Sequence, residues 1–266
     1  MPFTPSHVAA ILPFVRTPLL PAGLAIGSMV PDLPYFVPIG LSREFTHSLV
    51  GALVADLPMG IACYLIWVFL LRAPLLDFAP GWLHDRFRVR RSARPLWVTA
   101  LLLLAALAVG VATHLAWDSF THPDGWVVLH VAALRAQLGP FAASRWLQYA
   151  SSVFGLVVLA IWAARWVRST GAGSVAYLRT GRIVRLVVWL VVAGTLIAVG
   201  AVVWLRGQFR GVEAFNRGLV YDTAVYSIAA AGLLALIACL AWYLFPRRGR
   251  GQTERSTATT LPSTWA

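Results

Sequence analysis

The run His114-Leu115-Ala116-Trp117-Asp118-Ser119-Phe120-Thr121-His122 carries three metal-type side chains at four-residue intervals. On a helix, residues four apart lie one above the other on a single face. An imidazole and a carboxylate at that spacing can close on one ion, as helical His-x-x-x-His pairs do for zinc. The same stripe also reads as a hydrogen-bonded helix end with histidines at a membrane interface. Three further segments offer the same side-chain types. His7 follows Thr4-Pro5-Ser6, where Ser6 is placed to cap a short helix. Asp32 closes Gly27-Ser28-Met29-Val30-Pro31-Asp32, in which Pro31 stops a helix and leaves the carboxylate on a rigid turn. His47 stands in Thr46-His47-Ser48, where either hydroxyl can cap the next helix. The candidate metal ligands are therefore His7, Asp32, His47, His114, Asp118 and His122. Asp32 and Asp118 are also the candidate catalytic carboxylates, one to bind metal and the other to act as general base.

The elements that must position these groups are membrane helices. Hydrophobic residues make up 59% of the 266-residue chain and charged residues 12%, and its mean hydropathy is +0.74. A soluble domain is about 45–50% apolar and about 25% charged, so a soluble enzyme, a disordered chain and a disulfide scaffold are excluded. Five stretches approach the ~20 apolar residues a spanning helix needs: 49–71, 96–117, 149–167, 184–205 and 223–245. Arg16, Pro18 and Pro21 split the N-terminal apolar residues into two pieces, each too short to span. There is no basic n-region or clear cleavage site, so this is not a signal peptide. The expected fold is all-α: a polytopic membrane protein with about five transmembrane helices plus a broken N-terminal helical hairpin. Residues 125–138 read as an interfacial amphipathic helix.

All 22 basic residues are arginine, and the net charge is +12. Such a balance can signal nucleic acid, but these arginines sit in the short connections where topology signals belong, and no nucleic-acid partner is expected. Fifteen lie in the loops after the first and third spans and in the tail, seven on the opposite side. The positive-inside bias places the N-terminus outside and the C-terminus in the cytoplasm. All six candidate ligands then fall on the extracytoplasmic face or its membrane edge. His84 reads as a solvated loop histidine beside Asp85, and His130 as interfacial. Asp56 has three open roles: pairing with an arginine, lining a cavity, or supporting the site. Gln148, Ser151 and Ser152 open the third span at the same outer face and read as its caps, with hydrogen bonding to a ligand or substrate as the alternative. Cys63 and Cys239 lie inside apolar runs and read as small hydrophobes.

Pro5-Ser6-His7, Gly27-Ser28-Met29-Val30-Pro31-Asp32, Thr46-His47-Ser48 and the His114-x-x-x-Asp118 run with His122 resemble a bacterial family of integral membrane proteins of unknown function. That family is similar to inner-membrane proteins classed as metal-dependent hydrolases. A more distant likeness is to zinc-dependent phospholipases C and fungal single-strand nucleases, helical proteins that hold zinc with scattered His and Asp. This chain has one His-x-x-x-Asp pair where those proteins have a second. The resemblance covers about residues 1–165, a hydrolase-like membrane domain; 166–246 adds two spans and 247–266 a polar, disordered cytoplasmic tail. It implies metal-dependent hydrolysis of a phosphodiester. The mixed N and O ligand set favours zinc as the divalent metal, with manganese the alternative. Membrane lipid is the expected partner, a lipid or lipid-linked phosphoester the expected substrate, and the bacterial inner membrane the expected location. The rival is a non-enzymatic structural metal or polar cluster that fixes the N-terminal hairpin. A transporter would need ionisable groups near mid-membrane in several spans, which the last three spans lack.

Overall fold

Prolines divide the N-terminus, and the chain forms two short helices there. The computed structural model describes residues 4–87, 94–171, 180–214 and 216–244. The 247–266 tail lies outside the described residues, as do Arg88, Arg90, Arg91 and Arg179. The first helix, Thr4–Phe14, is a 3₁₀ helix. At three residues per turn, Thr4, His7 and Ala10 share one edge. Ser6 is inside this helix rather than capping it. Helix α1, Pro21–Gly27, starts on a proline, whose missing N–H is an unpaired position in any case. It ends at Gly27, ahead of Pro31. Val30–Asp32 is a separate 3₁₀ turn with Pro31 inside it, and that turn, not a helix end at Pro31, fixes Asp32.

Helix α2, Leu49–Phe78, opens on Ser48, whose hydroxyl accepts from the Gly51 N–H at 2.9 Å. It widens into π turns at Ala52–Asp56 and Trp67–Leu71. Each comes shortly before a proline, Pro58 and Pro74. A proline lacks an N–H and its ring crowds the carbonyl four residues back, so the preceding turn opens. The remaining spans are α3 (Leu96–Thr121), α4 (Ala143–Ser169), α5 (Arg182–Phe209) and α6 (Arg217–Leu244). Among the described residues five helices, one for each of α2 to α6, are long and apolar enough to cross a membrane. On α5, Ile183, Leu190 and Ile197 are exposed by 78, 61 and 69%, an apolar surface suited to lipid rather than water.

Two local readings are corrected. Residues 125–138 are not one interfacial helix. They form short turns at Trp126–His130 and Ala132–Arg135, then a hairpin of β1 (Gln137–Leu138) and β2 (Phe141–Ala142). Val131, extended at φ −111° and ψ 101°, breaks the helix. Because α4 begins at Ala143, Gln148, Ser151 and Ser152 lie inside it and are not caps.

Two clusters hold the bundle. At the site end, Ile11, Leu24 and Ala106 pack together where α1 lies against α3. At the other end, Phe78, Cys239 and Trp242 pack together. Asp77 there accepts from the Trp242 indole at 2.6 Å, the Thr180 N–H at 3.1 Å and the Thr180 hydroxyl. The Trp189 indole donates to the Phe78 carbonyl at 2.8 Å. These bonds tie α5 and α6 to the end of α2. His84 is buried at this end, its Nδ1 3.2 Å from Asp85 Oδ1, and is not a solvated loop residue.

Candidate metal centre

Each central histidine is oriented by a backbone carbonyl. His114 is fully buried on α3, and its Nδ1 donates to the Ser28 carbonyl at 2.8 Å. His47 follows the helical turn Arg43–Thr46, and its Nδ1 donates to the Arg43 carbonyl at 3.1 Å. A carbonyl only accepts, so both protons sit on Nδ1 and both Nε2 atoms carry lone pairs. Those two lone pairs face each other across 3.2 Å, an arrangement that calls for a proton or a cation between them.

Two carboxylates complete the group. Asp32 is buried on its 3₁₀ turn. Its Oδ2 accepts from the Thr4 hydroxyl at 2.7 Å, and its Oδ1 lies 3.6 Å from His47 Nε2 and 3.7 Å from His114 Nε2. Asp118 Oδ2 lies 3.2 Å from His47 Nε2 and 3.7 Å from His114 Nε2. Asp32, His47, His114 and Asp118 each offer one ligand atom, all within 4.8 Å of one another. Zinc bonds of about 2.0–2.2 Å place ligand atoms roughly 3–4 Å apart, and the His–Asp separations of 3.2–3.7 Å are of that size, so the group could hold one ion.

His7 and His122 stand beside this group. The His7 ring stacks on His114 with centroids 4.1 Å apart. Its Nε2 is 3.5 Å from Asp118 Oδ1, and neither ring nitrogen has a hydrogen-bond partner among the described residues. Burial first, then the proximity of the His114 imidazole, lowers its pKa to about 3. His7 is therefore neutral, the state a metal ligand or proton acceptor needs. Helix α3 stops at Thr121 because Pro123 pushes His122 into extended backbone, φ −103° and ψ 144°. The helical stripe thus does not continue to His122, yet the ring folds back, with Nδ1 3.2 Å from Asp118 Oδ2. Gln148 is fully buried, and its amide nitrogen is 3.1 Å from His122 Nε2. Arg145 donates to Gln148 Oε1, which turns the Gln148 NH₂ toward the imidazole. His122 Nε2 therefore accepts, and Nδ1 donates to Asp118. In this geometry His122 orients Asp118, with both ring nitrogens engaged.

Arg43 spans the mouth, donating to Asp118 Oδ2 at 3.3 Å and to Asp124. Asp56 is buried in the first π turn, and neither oxygen has a hydrogen-bond partner among the described residues. His47 and Asp32 are its electrostatic neighbours, and it pairs with no arginine among those residues. Several supporting groups escape a reading of residue types. Thr4 and the Ser28 carbonyl have no signature of their own. The signal for Gln148 was a rare amide inside an apolar span.

Together these features define a polytopic α-helical membrane protein with a buried two-Asp, two-His group that could hold a metal ion. The chain belongs to the family described as domain of unknown function (DUF4184), whose model matches residues 1–245 and so runs on through α5 and α6. No curated protein and no solved structure matches the chain.

Proposed function

We propose that the protein is a membrane-embedded, metal-dependent hydrolase. It acts at the extracytoplasmic face on a phosphoester of a lipid or lipid-linked molecule. The observation that supports this most is the pair of facing Nε2 lone pairs with two carboxylates against them in one largely buried cluster. Asp32 Oδ1, His47 Nε2, His114 Nε2 and Asp118 Oδ2 are the atoms that would hold the ion, with zinc favoured by the mixed N and O donors. A divalent ion there would acidify water and polarise the ester. Asp118 Oδ1 has no hydrogen-bond partner among the described residues and lies 3.5 Å from His7 Nε2. It is placed to take the proton of an attacking water. The water oxygen bonds to phosphorus, the ester oxygen leaves, and the proton returns to it to give the alcohol. Arg43, held by Asp118 and Asp124, offers a cation for the phosphate at the mouth.

A structural metal is the second reading, because four protein donors can close a tetrahedron and a catalytic zinc keeps a position open. Metal analysis combined with a phosphodiesterase assay on purified protein tests the choice. Bound zinc with chelator-sensitive hydrolysis is the expected result. Metal without hydrolysis, whose removal unfolds the protein, would select the structural reading.

Orientation is open to a separate check. A reporter fused after Arg94 is expected to read cytoplasmic, and one fused near Gly125 extracytoplasmic. A cytoplasmic signal at Gly125 would turn the centre toward the cell interior and reverse the sidedness of the substrate.

A further inference from the structure

We infer that the centre binds an anionic membrane phospholipid, its tail and headgroup seated in two cavities that follow one another along α3 and α4 beside the centre. This rests on the hydrolase reading for the lipid's fate, and on the cavities for its binding. The first cavity, about 390 Å³, is an almost wholly apolar groove with Trp117, Phe120 and Leu147 among its lining residues and Ala10 and Ala116 as small walls. Ala10 shares the 3₁₀ edge that carries His7, and Trp117 adjoins Asp118, so the groove runs alongside the centre. The second, about 420 Å³, has a mixed lining in which Arg135, Arg145, Gln137 and Ser144 supply the polar part. No carboxylate is among its lining residues.

The two cavities are ordered along the same helices. Thr121 lines the groove, Pro123 lines the basic cavity, and His122 lies between them. On α4, Ser144 and Arg145 line the basic cavity, and Leu147 and Ser151, further along the helix, line the groove. Chain numbering rises toward the site end along α3 and away from it along α4. The groove is therefore deeper along both spans, and the basic cavity sits at their end. A phospholipid in a bilayer has this polarity, with chains toward the middle and phosphate at the edge. Among the described residues Arg135 and Arg145 each commit one N–H, to the Leu129 carbonyl and to Gln148 Oε1. Each guanidinium has five such donors, which leaves the rest to grip a phosphate. Arg145 also reaches the centre through Gln148, His122 and Asp118, so the headgroup site adjoins the ligands.

The test is native mass spectrometry of the full chain in phosphatidylcholine mixed micelles titrated with phosphatidylglycerol. The wild type should retain phosphatidylglycerol over phosphatidylcholine by roughly thirtyfold, the size two basic residues at a membrane surface produce. Arg135→Gln with Arg145→Gln should abolish that preference. Arg135→Gln alone, which touches nothing in the centre, should lose part of it. Leu147→Trp and Ala116→Trp, at lipid-facing positions, should fill the groove and remove bound phosphatidylglycerol while metal content stays at the wild-type level. An unchanged preference in the double arginine variant overturns the inference, as does full lipid retention in both groove variants. Displacement of the lipid by millimolar inorganic phosphate would overturn it too, making the basic cavity a free-phosphate site. Failure of the two readings is distinguishable. Selective lipid binding without metal leaves this inference standing and removes the hydrolase, whereas metal and phosphodiesterase activity without lipid preference does the reverse.

Discussion

Asp118→Asn protein is expected to insert and purify as the wild type does, and to come without its metal. The amide keeps the volume of the carboxylate and removes its charge. Asp118 Oδ2 is met by Arg43 at 3.3 Å, His122 Nδ1 at 3.2 Å and His47 Nε2 at 3.2 Å. Two of these are donors, satisfied by a carboxylate and poorly matched by an NH₂ group. The other is the lone pair that an ion would bridge to Asp118. Losing even an outer partner of a metal ligand costs about 10–100-fold in affinity, so losing a ligand charge should cost at least ~100-fold. Insertion should be unaffected, because the apolar part of α3 that drives it is untouched. His114→Ala should lose metal as well, and with it the bond to the Ser28 carbonyl. His84→Ala is the control: its partner is Asp85, at the far end of α2. Metal analysis with size-exclusion in mild detergent reads the result. Full metal content in purified D118N would mean that Asp118 is no ligand and that the α3 stripe is a hydrogen-bonded helix end. Loss of metal together with unfolding would favour the structural reading. Loss of metal and of hydrolysis in a folded protein is what an active centre gives.

The spans were legible because a membrane helix is written in composition, and lipid demands apolar length before anything else. The side chains of the centre stood out for the complementary reason. Ionisable groups are costly at membrane depth, so Asp32, His47, His114 and Asp118 are conspicuous in a chain with ten acidic residues. What residue types do not encode is which segments meet. The 3₁₀ period that lines up Thr4, His7 and Ala10 was invisible, since its prolines read only as interruptions. The place of His122 was obscured because the i+8 pattern suggested a longer helix, whereas Pro123 ends it and a return of the ring restores contact with Asp118. Gln148, Ser151 and Ser152 resemble caps because the apolar run alone begins at Tyr149, whereas the helix itself begins at Ala143 and carries the buried amide to His122. Asp77 gave no warning that it would join α5 and α6 to α2, because its partners Thr180 and Trp242 are 103 and 165 residues away.

Gly110→Val is expected to empty the metal centre although Gly110 carries no ligand atom. A Cβ at Gly110 would stand 2.4 Å from the Leu24 carbonyl oxygen and 2.7 Å from the Ser28 nitrogen. One at Gly27 would stand 2.4 Å from the Leu107 carbonyl oxygen. The obstacles are backbone atoms, so no side-chain rotation relieves them. Helices α1 and α3 touch main chain to main chain, as small residues permit where no hydrophobic force separates protein from lipid. Any side chain at Gly110 must push α1 outward. Ser28 would move with it, away from its 2.8 Å bond to His114 Nδ1. The Val30–Asp32 turn follows Ser28 within a few residues, so Asp32 Oδ1 would also leave its position 3.7 Å from His114 Nε2. One substitution thereby loosens a ligand's orientation and removes a second ligand. Overpacking of a core costs about 1–3 kcal/mol, and a backbone clash of this depth should sit at or above the top of that range. The measurement is metal content and thermal stability of G110V in detergent, with Gly110→Ala as the milder step. Gly194→Ala is the control: it lies in α5, a Cβ there meets nothing within 4 Å, and helix propensity alone should leave it neutral or slightly stabilised. If G110V melts with the wild type and keeps its metal, the α1–α3 contact does not position Asp32, and the centre must be held by the Thr4 hydroxyl and the Arg43–Thr46 turn instead.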